Sequence, residues 1–188
     1  MQSIKKLFKP YVEYSSYIFK FWVNQITMSA LGLLVSCAIS LTDGILPVQI
    51  IMALFPVGFM CFLIYDYMFQ FGHKHSVSIE AGHMRLDKIF GLKIFGLSYA
   101  PTLLLIVLTA IFSILGVPDV PAITSVVYYI LNAYNLGFFW LLSGIPAYIT
   151  MIIMMLPTMI ACTLGYFLGA TDRPISSMLG INIKSKKK

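Results

Sequence analysis

Carboxylates are scarce in this chain: two glutamates, Glu13 and Glu80, and five aspartates stand among 188 residues. The paired acid and base of an intramembrane hydrolase has almost nothing to draw on. No charged residue falls in the middle of a long apolar run. Metal-binding patterns are missing as well, with no CxxC, no HExxH and no HxxxH helix pair. Cys37, Cys61 and Cys162 all lie inside hydrophobic runs, where they read as small packing residues and not as a disulfide framework or a zinc set. These absences point away from an enzyme, and no cofactor is expected.

What the sequence holds instead is hydrophobic length. Hydrophobic residues make up 59% and charged residues 11%, with a mean hydropathy of +0.88, whereas roughly 25% charge is usual in a soluble domain. The composition predicts an integral membrane protein of the all-α class, a polytopic transmembrane helical bundle. Each span needs about 20 largely apolar residues, so 1–188 reads as one domain with no room for a second folded unit. Residues 22–41 carry no charge and form the expected first span. TDG at 42–44 reads as a tight turn into a second span over 45–67, where Asp66 sits between Tyr65 and Tyr67. A third span is expected over 94–116, its helix starting as early as Asp87, a good N-cap residue. From 120 to 171 there are 52 residues without a charge, long enough for two more spans and hence five in all.

Charge placement decides for four. The 13 basic residues fall in three groups: Lys5, Lys6, Lys9 and Lys20; then Lys74, Arg85, Lys88 and Lys93; then Arg173, Lys184, Lys186, Lys187 and Lys188. The two other connections hold Asp43 and Asp119 and nothing basic. Because Lys and Arg mark the cytoplasmic side of short loops, both termini and a loop over 70–93 are expected to be cytoplasmic, in the cell membrane. An even number of crossings leaves the fourth span at about 147–169, with Trp140 and Tyr148 in the outer aromatic belt. Residues 120–142 then form an outer segment that does not cross. Ser125, Tyr128, Asn132 and Asn135 recur there at spacings of three and four, one polar stripe on a helix. The stripe suits either an amphipathic helix in the interface or a re-entrant segment packed on protein, and the sequence leaves both open. LVSC at 34–37, behind the N-terminal lysines, imitates a lipoprotein signal cleaved before Cys37. Apolar sequence continuing through Leu41, with three more spans to come, speaks against cleavage. Lys5, Lys6 and Lys9 would then meet anionic lipid headgroups, each contributing about 1 kcal/mol.

Packing signals stand out more than chemical ones. Ala161, Gly165 and Gly169 repeat a small residue every fourth position, and Gly32, Ser36 and Ser40 do so in the first span. Small residues let helix backbones approach closely in lipid, either within the bundle or toward another protein. Pro56 and Pro157 lie mid-span and are expected to shape their helices. His73, His75 and His83 are the only histidines, and all fall in the polar stretch. His73 and His75 share a face only on a strand, with His83 opposite if SVSIE and HMRLD pair around Ala81-Gly82 and Glu80 nearby as a carboxylate. These are candidate metal ligands without a supporting motif, among Lys74, Arg85 and Lys88 whose charge opposes a divalent cation. A solvated loop is the expected state. Asp66, at the cytoplasmic end of the second span near the level of Lys20 and Lys88, is the candidate for an interfacial ion pair, with proton or cation handling as the alternative.

The stretches YDYMFQFGHKHSVSIEAGHMRLDKIFGLKIFGLSYAP (65–101) and LPTMIACTLGYFLG (156–169) carry a resemblance. Tyr65, Asp66 and Tyr67, then Gly72 and Lys74, then Gly82 and Met84, then Gly165, Tyr166 and Gly169 resemble the short motifs of a group of uncharacterised four-span membrane proteins of Gram-positive bacteria. His83 stands where the group has an arginine. The likeness covers about a quarter of the chain. It implies the four-span topology and no activity.

The expected function is that of a non-catalytic subunit or interaction protein of a membrane complex, with a small transporter or channel component as the alternative. Its expected partners are the lipid bilayer, anionic headgroups at the cytoplasmic face, and a membrane protein or a second copy of itself. Nucleic acid is not among them.

Overall fold

A charge-free apolar segment in a membrane has one economical way to satisfy its backbone, the helix, and every described element here is helical. The computed structural model describes residues 11–12, 14–40, 46–117, 119–142 and 144–172, excluding the side chains of Leu46 and of residues 138–141. The turn expected at 42–44, Lys5, Lys6 and Lys9, the basic tail from Arg173 and the Trp140 ring lie outside the described residues.

In chain order the elements are α1 (Ser15–Ser40), α2 (Leu46–Glu80), α3 (Phe90–Ser98), α4 (Ala100–Ile114), α5 (Asp119–Leu131), a 3-10 segment (Ala133–Leu142) and α6 (Ala147–Ala170). Helices α1, α2 and α6 are long and apolar enough to cross a bilayer, and α3 with α4 makes a fourth candidate span bent by 68°. The protein is membrane-embedded, an all-α bundle.

Two features depart from the sequence reading, and a third fills in what it left open. The first is the length of α2, 35 residues or about 52 Å, so that 70–80 is helix and not loop. Backbone hydrogen bonding continues through polar residues as readily as through apolar ones. What stops it is Gly82, at φ +74°. There the N–H of Gly82 donates to the Ile79 carbonyl and that of His83 to the Ser78 carbonyl, each at 3.0 Å, a glycine-capped helix end. Ala81-Gly82 is therefore a helix stop and not a hairpin turn, and no strand pairs SVSIE with HMRLD.

The second is the break in the third span at Tyr99. Pro101 has no N–H for the Leu97 carbonyl, and it sits in the first turn of a new helix, where that lack is harmless. Asp87 lies at the turn that starts α3 without being its N-cap. Its Oδ1 accepts from the Ile89 N–H at 3.1 Å and its Oδ2 from Lys93.

The third is the segment 119–142. Helix α5 packs along α4 from Asp119 to Leu131, the 3-10 segment continues from Ala133, and its Gly137 comes against Ala53 and Ile39. The segment thus packs first as an α-helix along α4 and then as a 3-10 helix beside α1 and α2. At 13 residues, or about 20 Å, α5 is shorter than a span of about 30 Å requires.

Glycines set the closest approaches. Helices α2 and α6 run side by side, with Gly165 against the Tyr65 carbonyl (2.6 Å from an ideal Cβ), Gly169 against the Phe69 carbonyl, and Gly72 against Tyr166 and Ala170. On α1, Gly32 meets the backbone of Ala133 and Tyr134. The rest of the two small-residue stripes is less engaged: Ala161 and Ser36 are half-buried, and Ser40 is exposed with its hydroxyl donating to the Cys37 carbonyl.

Candidate functional site

Around the junction of α5 and the 3-10 segment, polar side chains gather in the interior. Gln25 and Ser29 come from α1, one helical turn apart. Thr102 comes from the first turn of α4. Tyr128, Asn132, Tyr134 and Asn135 come from α5 and the segment after it, and Tyr99 from the break between α3 and α4. All are buried.

Gln25 Nε2 donates to Asn132 Oδ1 at 2.9 Å and lies 3.5 Å from the Thr102 hydroxyl. The Tyr134 hydroxyl donates to the same Asn132 oxygen at 3.3 Å and meets the Tyr99 hydroxyl at 3.2 Å. Asn132 Nδ2 donates to the Tyr128 carbonyl at 3.0 Å, and the Tyr128 hydroxyl donates to the Met151 carbonyl at 2.8 Å. A second pair, Thr109 and Thr124 at 2.7 Å, ties α4 to α5 further along.

Ser29 occupies the junction of α5 and the 3-10 segment. Its hydroxyl donates to the Leu131 carbonyl at 2.6 Å and accepts from the Ala133 N–H at 3.2 Å. A helix end leaves carbonyls without partners, and a change of helix type leaves an N–H without one. One hydroxyl satisfies both. At the other break, Trp22 Nε1 donates to the Ser98 carbonyl at 2.8 Å. The interior is thus built from neutral amides and hydroxyls, and Ser29 together with the Trp22 indole holds the irregular backbone at the two breaks.

Two clefts adjoin this layer. One, of about 230 Å³, is lined by Trp22, Gln25, Ile26, Ser98, Pro101 and Thr102. The other, of about 290 Å³, is lined by Leu54, Val57, Asn135, Leu142, Ile153 and Met154. Ser98 Oγ and Asn135 Nδ2 are buried without a hydrogen-bond partner among the described residues.

The sequence candidates are dispersed. His73 lies on the exposed side of α2, its Nδ1 3.0 Å from Asp172 Oδ1 just past α6. His75 lies two residues on along the helix and points elsewhere, 3.1 Å from the Tyr166 hydroxyl and packed by Phe71 and Phe90. His83 is exposed beyond the end of α2. Among the described residues no three His, Cys, Asp or Glu side chains converge on one point. The ion pairs among the described residues are His73 with Asp172 and Lys93 with Asp87. Asp66 takes neither Lys20 nor Lys88: it accepts from Gln70 one turn along at 2.8 Å, while the Lys20 ammonium sits 4.6 Å from the Tyr67 ring centre. The reason is geometric, since a Gln at i+4 is a helix neighbour that needs no tertiary fit. Lys93 holds the Asp87 carboxyl below its ordinary range, chiefly by its hydrogen bond.

Of the polar stripe, Tyr128, Asn132 and Asn135 face the interior and Ser125 is half-buried. Their partners on α1 and α4 were not foreseen. Comparison with family models, curated proteins and solved structures finds no match.

Proposed function

We propose that this is a four-span protein of the cell membrane, with both termini and the Gly82–Lys88 turn cytoplasmic, that serves as a non-catalytic subunit or interaction partner in a membrane complex. The observation that carries this reading is the use to which its interior polar groups are put. Ser29 closes the α5 junction, Tyr128 holds α6, and Trp22 holds the Ser98 carbonyl. A group that fixes backbone in a low-dielectric interior would have to break that bond before it could carry a proton or grip a substrate. The orientation is supported by the basic residues at one end of the bundle: Lys20, Lys74, Arg85, Lys88 and Lys93. The same residues favour anionic headgroups there.

A small transporter component is the second reading. It is favoured by the break at Tyr99 lying beside the turn of the re-entrant segment, since broken helices that meet at one depth are a recurring way to build a transport site.

Purification of the full chain in mild detergent tests the first reading. The expected result is one membrane protein, or a second copy of this chain, retained at fixed stoichiometry through gel filtration. A solitary monomer that by itself carries an ionic current across a planar bilayer would overturn it.

A further inference from the structure

We propose that α3 lies flat at one face of the bilayer and that its outward side, with the turn that starts it, docks on a leaflet of anionic phospholipid: Ile89 and Leu92 among the acyl chains, Lys88 and Lys93 on the phosphates. Two observations fix how α3 lies. It is bent by 68° from α4, so its nine residues, about 13 Å of helix, gain only about 5 Å of depth along α4. Its two ends are also held at one level. Near the start, Gly91 meets Cys162, Thr163 and Tyr166 of α6, the stretch whose Gly165 meets Tyr65. At the end, the Ser98 carbonyl accepts from Trp22, two residues past Lys20, whose ammonium lies over the Tyr67 ring. Asp66 and Lys20 are the charges that close the apolar runs of α2 and α1. Helix α3 therefore runs along the boundary of the hydrocarbon layer.

The side of α3 turned away from the bundle has the chemistry of that boundary. Phe90, Gly91, Ile94, Phe95 and Ser98 are buried, while Ile89 and Leu92 are 56% and 44% exposed, with Lys88 and Lys93 exposed beside them. Lysine stems cover apolar surface and carry their charge outward to the headgroups. Lys93 also holds Asp87, but Arg85, Lys88 and Lys93 outnumber that single carboxylate over 85–98. The face stays cationic and complements an anionic leaflet. Val77 is the contrast. It is 62% exposed, yet it stands eleven residues past Asp66, about 16 Å along α2. That is beyond a headgroup layer of about 5–8 Å, in water. The proposal rests on the four-span reading and not on which face is cytoplasmic.

The test puts a bimane label on Leu92→Cys or Val77→Cys, both at exposed positions, with Cys37 and Cys61 replaced by serine and the buried Cys162 left in place. The full chain is held in phosphatidylcholine nanodiscs. Quenchers are iodide in the water and phospholipids carrying a nitroxide near the carboxyl end or near the methyl end of one acyl chain. The label at Leu92→Cys is expected to be shielded from iodide and quenched more by the carboxyl-end nitroxide than by the methyl-end one. The label at Val77→Cys should be quenched by iodide and by neither lipid. Nitroxide phosphatidylglycerol should quench the Leu92→Cys label more than nitroxide phosphatidylcholine, and Lys88→Gln should cut that preference about fivefold. The side on which the termini lie is read by impermeant labelling and does not enter these depths, so a failure there leaves this result standing. Iodide reaching both labels alike, a Leu92→Cys label shielded from iodide and lipid together as a second protein copy would shield it, or stronger quenching by the methyl-end nitroxide would overturn the proposal. Equal quenching by the two headgroups, or a preference unchanged by Lys88→Gln, would do the same.

Discussion

Replacing Gly169 with alanine should separate α2 from α6, and the structure supplies both the size of the effect and its control. An added Cβ at Gly169 would lie 2.9 Å from the Phe69 carbonyl carbon and 3.0 Å from the His73 nitrogen, with the Phe69 oxygen closer still. All three are backbone atoms, so no rotamer change relieves the clash. The helices must part by about 0.5–1 Å, a gap that forfeits a quarter to a half of each dispersion well along the contact. Overpacking of this kind costs about 1–3 kcal/mol. Against it stands a gain of about 0.5–1 kcal/mol for alanine over glycine in a helix. The net expectation is a loss of about 0–2.5 kcal/mol, centred on about 1 kcal/mol, from those same two ranges. Gly58 isolates the second contribution: nothing lies within 4 Å of its ideal Cβ, so Gly58→Ala should be neutral or slightly stabilising. Unfolding by titration of dodecyl sulfate into mild-detergent micelles, followed by circular dichroism, measures both. Equal midpoints for Gly169→Ala and Gly58→Ala would refute the close-packing argument. Gly165→Ala, with the Tyr65 carbonyl oxygen at 2.6 Å, should fall with Gly169→Ala.

Ser29→Ala should cost about 2 kcal/mol in the same assay, because it strands the Leu131 carbonyl and the Ala133 N–H together; a loss below about 0.5 kcal/mol would mean that the junction finds other partners. Asp87 is held below its unfolded pKa of 3.8 by Lys93, so the contribution of the pair is present above pH 3.8 and is lost as the pH falls through the lower folded value. Asp87→Asn should therefore flatten that part of the stability profile, and an unchanged acid limb would refute the assignment. For orientation, single cysteines at positions 3, 119, 144 and 186 of a cysteine-free chain should react with an impermeant reagent in intact cells only at 119 and 144. Labelling at 186 without labelling at 3 would mean an odd number of crossings.

The parts of this fold that were legible in the sequence are those set by composition along the chain. Freedom from charge over 22–41 and 147–169 marks α1 and α6 because a bilayer accepts little else. The same criterion misplaced the end of α2, for it registers where apolar residues stop and not where hydrogen bonding stops. Gly82 carried the second signal, and Ala81-Gly82 fits a helix end as well as a hairpin. The break at Tyr99 was marked by Pro101. A proline inside an apolar run reads equally as a kink or as the first turn of a new helix, and only packing against Trp22 and Tyr134 distinguishes the two. Asp66 and the histidines were chosen for their chemistry one at a time. A helical address two residues apart sends His73 and His75 to different neighbours, whatever their chemistry.

The interior polar layer shows why a stripe on one helix is half of an observation. Tyr128 and Asn132 alone are compatible with a helix floating at the membrane surface, since a polar face needs only something polar opposite it, and water serves. A face of α1 gives Asn132 a partner within the protein. Gln25, Ser29 and Gly32, at spacings of four and three, lie on one side of α1, and they combine two properties that irregular backbone packed on a helix requires at once. Gln25 and Ser29 supply hydrogen bonds to groups that lipid cannot satisfy. Gly32 removes the Cβ that would otherwise strike the Ala133 carbonyl and the Tyr134 backbone. Sorted by residue type, as polar groups and small groups, these positions belong to separate stories. Sorted by helical face they describe a single socket, and the chain from Leu131 to Tyr134, at the junction of α5 and the 3-10 segment, is what fills it.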